Sequence, residues 1–179
     1  MTAGLLLAAG AGRRMGMPKA LVHDADGTSW LRRSVEVLLD GGCTQVRVVL
    51  GAQAGEARAL LTGTAATVVV ADDWAEGMGA SLRAGLDAAA HDGDVLVSLV
   101  DLPDVGADVI ARVLACGATL ARATYDGRPG HPVLIGRDHV EPLAATLHGD
   151  VGAKAYLEAQ DTLGVECGDL ATGRDRDRR

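Results

Sequence analysis

The chain has no phenylalanine, and its aromatic fraction is only 2%. That scarcity excludes a base-stacking platform for RNA or single-stranded DNA, which needs aromatic faces. Excess positive charge is lacking too: 24 acidic residues against 17 Lys and Arg give a formal net charge of -7. A nucleic-acid polymer is therefore not the expected partner. No apolar run approaches the ~20 residues that span a bilayer, so no membrane association is expected. No basic segment precedes the first apolar run, as one would in a signal peptide. Cysteines are few: Cys43, Cys116 and Cys167 are odd in number, far apart and without metal-finger spacing. They read as reduced, partly buried thiols of a cytoplasmic protein. Ala, Leu and Val are abundant, and the hydrophobic fraction of 48% over 179 residues suits one core rather than two.

Apolar, β-branched runs alternate with helical stripes. Leu5–Ala8, Val46–Leu50, Thr67–Ala71 and Val95–Val100 read as buried strands. Leu31, Val35, Leu38 and Leu39 share one helical face, with Ser29 placed to cap it. Leu82, Leu86 and Ala89 form a second stripe, and Val109, Ile110, Val113 and Leu114 a third. Such alternation predicts an α/β fold of three layers around a mostly parallel sheet. After Ala118 the pattern changes. Strands at 119–124 and 133–135 flank turn chemistry from Tyr125 to Gly130, which predicts a late β-hairpin. A helix over Val151–Ala159 and a short strand over Leu163–Glu166 follow. The expected organisation is one domain over residues 1–170 and a disordered tail over 171–179, which has no apolar residue from Arg174 on.

The most informative stretch is Leu5-Leu6-Leu7-Ala8-Ala9-Gly10-Ala11-Gly12-Arg13-Arg14-Met15-Gly16-Met17-Pro18-Lys19. A buried strand empties into a glycine loop that carries three cations and no acid. Such a loop brings bare backbone N–H groups and positive side chains to a polyphosphate. It is not a Walker A loop, because Lys19 follows Pro18 and precedes Ala20. It is a poor dinucleotide fingerprint, because the third glycine position is taken by Met15.

The pattern Leu7-Ala8-Ala9-Gly10-x-Gly12-x-Arg14-Met15-Gly16-x-Pro18-Lys19 resembles the signature of MobA-like nucleotidyltransferases, nearest to their molybdenum cofactor cytidylyltransferase branch. Asp73 to Leu86 resembles the family's second segment, near the nucleotide base, and Asp101-Leu102-Pro103 stands where Gly-Asp-Gln-Pro is usual. Gly130-His131-Pro132-Val133-Leu134 and Gly149-Asp150-Val151-Gly152-Ala153-Lys154 match two later motifs. The matches run in order from about Leu5 to Lys154. Departures are Gly79 for a common Ser, Val100 and Leu102 for Gly and Gln, and Lys154 for Arg.

The resemblance implies a Rossmann-like nucleotide-diphospho-sugar transferase fold. It implies Mg²⁺-dependent transfer of CMP from CTP to a molybdopterin-type phosphate, with release of pyrophosphate. GTP, ATP or a sugar-phosphate acceptor is the alternative within the class, and a non-catalytic cofactor-binding chaperone the alternative outside it. A molybdenum hydroxylase or its chaperone is the implied recipient. In such chemistry the nucleophile is already ionised, so alignment and charge neutralisation matter more than a general base.

Lys19 and Arg14 are the expected phosphate clamps, with Asp101 the third catalytic residue. Gly10, Ala11 and Gly12 supply backbone N–H groups, and Leu7, Ala8 and Ala9 lie against the nucleoside. Gly77, Met78 and Ser81 are expected near the base, and His131 near the acceptor. Asp101, just beyond the strand 95–100, falls where ligands of open α/β sheets gather and is the expected Mg²⁺ ligand. Asp150 is either a second metal carboxylate or the cap of the helix after it. Asp24 and Asp26 read as part of a solvated turn.

Overall fold

Strand β1, Thr2–Ala8, is buried on both faces from Ala3 onward, as an uninterrupted apolar run requires. It is a central strand of a seven-stranded sheet in a computed structural model that describes residues 1–176. The chain continues through α1 (Trp30–Asp40), β2 (Gln45–Leu50), α2 (Ala54–Leu60), β3 (Ala66–Val70), α3 (Met78–Ala88), β4 (Asp94–Leu99) and α4 (Ala107–Leu114). Next come β5 (Leu120–Tyr125), β6 (Arg128–Ile135), α5 (Arg137–Ala144), α6 (Lys154–Ala159) and β7 (Leu163–Glu166). The spatial order is β3-β2-β1-β4-β6-β5-β7. Neighbouring strands are parallel except where β6 meets β4 and β5.

Alternate residues of each strand feed two cores. Leu6, Val48, Leu96 and Leu134 pack with Trp30, Leu31, Val109 and Ile110, so α1 and α4 cover one face together with α2. Leu5, Leu7, Val95 and Val133 pack with Leu82, Leu86, Leu143 and Leu157, which places α3, α5 and α6 on the other. The expected three-layer α/β architecture is present. Ser29 caps α1 as its position suggested, its side chain accepting from the Arg32 N–H at 3.4 Å.

Differences from the sequence reading have local causes. The strand expected over Thr67–Ala71 is an edge strand, half exposed rather than buried, because nothing pairs with its outer side. The turn expected from Tyr125 to Gly130 shrinks to Asp126-Gly127, both at positive φ (52° and 73°), so pairing resumes at Tyr125↔Arg128. That hairpin is integral to the sheet, with β6 inserted between β4 and β5. The helix expected from Val151 starts at Lys154, because His148 and Val151 close a turn first. Two helices go beyond the elements read from the sequence: α2 buries only Ala57, and α5 buries Val140, Leu143 and Ala144 at helical spacing with Pro142 inside it.

The tail was expected to be disordered from residue 171. Its described part, 171–176, is laid against the body instead. The Thr172 N–H and hydroxyl donate to Asp104 Oδ2 at 2.7 and 2.6 Å, and the Arg176 N–H donates to the Asp101 carbonyl at 2.9 Å. Residues 177–179 lie outside the described residues.

Candidate active site

The site is built on two parallel neighbours. β1 and β4 run in register, Leu7 beside Leu99, so the chain after each strand emerges at one edge of the sheet. From β1 comes the glycine loop; from β4 come Val100 and Asp101. The Lys19 ammonium meets Asp101 Oδ2 there, across 82 residues of sequence. Asp101 is 7% exposed, one of few buried ionised groups in the described chain. A buried carboxylate needs a cation, and Lys19 supplies it.

Two glycines of the loop have different reasons for being glycine. Gly12 has φ +60°, and a Cβ there would sit 1.9 Å from the Met17 carbonyl oxygen, so the loop cannot close with any other residue. Gly10 has open space where its Cβ would be. Nothing in the protein demands glycine there, whereas close approach of a ligand to the backbone would. Met15, the residue that spoils the dinucleotide fingerprint, is buried in the core and donates its N–H to Gly12 O at 2.8 Å. It anchors the loop from beneath.

The opposite wall is the start of α3. Gly77, with φ +141°, precedes the helix, and Met78 is exposed at its mouth. Ser81 is buried and donates its hydroxyl to Gly77 O at 3.4 Å, so it lines the wall more than it caps it. The turn 148–151 packs onto this helix start, with the Ala80 N–H donating to Gly149 O at 3.2 Å. Asp150 rides on that turn. It is not the cap of α6, whose N-cap is Ala153 with no side-chain hydrogen bond.

Together these elements enclose a cleft of about 680 Å³, within the ~300–1,000 Å³ of small-ligand sites. It is lined by Leu7, Ala8, Ala9, Gly10, Ala11, Gly12, Arg14, Lys19, Gly77, Met78, Ser81, Asp101 and Asp150. Sequence reasoning had singled out all of these. Trp74, Glu76, Asp175 and Arg13, the last one of the loop's three cations, also line the cleft without having been assigned a role there. Trp74 and Glu76 belong to the segment Asp73 to Leu86 already matched as lying near the base, whereas Asp175 arrives from the C-terminal segment, a position with no pattern in a single sequence.

His131 is not among the lining residues. It stands near the start of β6, just beyond the last β4–β6 pair, Val97↔Val133. Burial, and then the Arg122 guanidinium beside it, hold its imidazole well below the ordinary value, down to about 4. It is a neutral imidazole at pH 7. Arg122 itself has a buried Nε without a hydrogen-bond partner. Asp24 and Asp26 do form a turn, closed by the Thr28 N–H on Asp26 Oδ1 at 2.9 Å, and Asp24 pairs with Arg33 at 2.7 Å.

Among the described residues no three His, Cys, Asp or Glu side chains converge on a metal position. A divalent cation here would have to draw on Asp101 and Asp150 with the remaining ligands from phosphate and water. That donor set fits Mg²⁺, which takes one or two carboxylates plus substrate phosphates.

A mostly parallel sheet with a glycine loop, cations and a buried carboxylate at its carboxyl edge defines a Rossmann-like α/β protein of the nucleotidyltransferase kind. Residues 4–163 match the MobA-like NTP transferase domain, and the chain belongs to that family. It is 38% identical to the nicotine blue oxidoreductase of Paenarthrobacter nicotinovorans, over 97% of this chain and 91% of that protein. A nucleotidyl transferase from Methanothermobacter superposes with a TM-score of 0.78 at 26% identity, covering 93% of this chain and 87% of the other. A manganese complex of Rv0371C from Mycobacterium tuberculosis H37Rv superposes with a TM-score of 0.77 at 26% identity, covering 98% and 93%.

Proposed function

We propose that this protein transfers CMP from CTP to a molybdopterin-type phosphate monoester and releases pyrophosphate. The observation that carries the reading is the meeting of Lys19 and Asp101 beneath the glycine loop, in one cleft large enough for a nucleotide. In this mechanism an ionised oxygen of the acceptor phosphate forms a bond to the α-phosphorus of CTP. The bond from that phosphorus to the bridging oxygen breaks, and pyrophosphate departs. Backbone N–H groups of Gly10 to Gly12 cradle the phosphates. Arg14 and Lys19 neutralise charge on the departing pyrophosphate, Arg as a fork and Lys as a point charge. Asp101 and Asp150 would hold Mg²⁺, which supplies Lewis-acid stabilisation of the α-phosphate when bound. The manganese-bound relative supports divalent-metal use. Ala8 and Ala9 leave room for the nucleoside. Three unpaired thiols and the absence of a membrane-crossing helix among the described residues support a cytoplasmic setting.

The relative named as an oxidoreductase favours a second reading, in which the cleft holds a dinucleotide and the protein moves electrons. Against it, Met15 fills the third fingerprint position.

The experiment is incubation with Mg²⁺, the pterin acceptor and each of the four NTPs in turn. Pyrophosphate and a product of the dinucleotide mass are expected with CTP. Release with GTP alone would refute the cytidylyl assignment. Absence of release with every NTP, together with oxidation of NADH or NADPH on adding an electron acceptor, would establish the second reading instead.

A further inference from the structure

The C-terminal segment does more than end the chain. After Cys167 it crosses to the cleft edge and is tied at three places. Thr172 is held by Asp104 through two hydrogen bonds, and the Arg176 N–H is held by the carbonyl of Asp101, the buried carboxylate residue of the site. The Arg176 guanidinium lies over the Trp30 ring, 5.7 Å from its centroid, and reaches Asp24 at 3.4 Å. Between the Thr172 tie and those of Arg176, Asp175 lines the cleft that is also lined by Arg13, Arg14 and Lys19. A carboxylate in a cleft with three cations has the chemistry of the ligand that the cations are there to bind. The side-chain ties are exposed hydrogen bonds to Asp104, one cation–π contact and one long ion pair, contacts weak enough to release, while Gly173 (φ +63°) lies against the Tyr125 ring.

We infer that residues 172–176 form an autoinhibitory strap, with Asp175 standing in for a substrate phosphate, and that the strap leaves when a polyphosphate enters. The inference rests on the reading of the cleft as a polyphosphate site. Its energetic logic is competition: apparent affinity equals intrinsic affinity reduced by the fraction of molecules with the strap open. A strap closed in nine molecules of ten weakens binding about tenfold.

The chain offers its own reporter. Its two tryptophans divide the task, Trp30 lying under Arg176 and Trp74 lining the cleft. In a Trp74→Phe background, fluorescence reports Trp30 alone. Titrating inorganic tripolyphosphate, and separately CTP, each with Mg²⁺, is expected to change Trp30 emission saturably as the strap departs. A chain ending at Ala171 is expected to bind both ligands about tenfold tighter by calorimetry. Asp175→Asn, which keeps the strap but removes its charge, is expected to tighten binding in the same direction and guards against a truncation that does not fold. Equal affinity in the full chain and both variants, or weaker binding in the variants, overturns the strap. Failure of both ligands to bind any of the three overturns it together with the polyphosphate reading. Tight binding without pyrophosphate release from any NTP leaves the strap standing and removes the transferase.

Discussion

Gly79→Ala is the substitution whose consequence can be worked furthest. Gly79 sits in the first turn of α3, where a Cβ would lie 2.2 Å from the Val151 carbonyl oxygen, 2.8 Å from Gly149 O and 2.9 Å from Val151 C. All three are backbone atoms, so no side chain can swing aside. Overpacking of this kind costs typically 1–3 kcal/mol, and a backbone obstacle argues for about 3. Alanine in place of glycine returns about 1 kcal/mol of helix propensity. The net loss is therefore about 2 kcal/mol, which for a chain of this size lowers Tm by about 4–8 °C. Urea unfolding at neutral pH measures it. The second consequence is functional, because the turn that must move carries Asp150 into the cleft. Nucleotidyl transfer should need more Mg²⁺ for half-maximal rate, with the CTP KM less affected. A variant as stable as the parent, with an unchanged Mg²⁺ requirement, would falsify both the close approach and the role of Asp150.

Asp101→Asn is expected to lower the rate of pyrophosphate release by about 10²–10³-fold while leaving the circular dichroism spectrum unchanged; a near-parental rate removes Asp101 from the mechanism. His131 is neutral in the fold down to about pH 4 and titrates near 6.5 when unfolded. Between these values the unfolded chain binds more protons, so stability is full above pH 6.5 and is lost as pH falls to 4, by on the order of 3 kcal/mol. His131→Gln should flatten that segment of the stability–pH curve, and an identical curve contradicts the assignment. Tyr125→Phe removes the hydroxyl that donates to His131 O at 2.7 Å, at a cost of about 1 kcal/mol by urea unfolding. Burial pushes the Cys43 thiol up to about 12, so a thiol reagent should modify half-buried Cys116 first; simultaneous labelling of both tells against a closed core.

Both walls of the candidate cleft were legible in the sequence, for a physical reason. A glycine loop after a buried strand, and an Asp after another, can be placed on one sheet edge by parallel-strand geometry alone. Lys19 and Asp101 share that edge, and their direct ion pair is a contact that only the structure supplies. The hairpin was legible through Asp126-Gly127, because few residue pairs tolerate positive φ twice in succession. Helix α2 was not legible because it buries a single alanine and shows no periodic stripe; α5 has its stripe in Val140, Leu143 and Ala144, but Pro142 among them argues against a helix when only the sequence is read.

By itself the sequence determined the layered α/β class, the glycine loop with its cations and the carboxylate after β4, since each follows from short-range pattern. Only the tertiary structure decided what depends on contacts between distant segments. It set Asp150 on a turn against Gly77 and Gly79 rather than on a helix cap, and it placed a half-buried His131 in the field of the Arg122 guanidinium. It also laid the polar segment 172–176, which composition marks as disordered, beside the cleft through Thr172 and Arg176. Polar residues carry no periodic signature of where they dock; Asp104, Asp24 and the Trp30 ring become a docking surface only once the fold has assembled them.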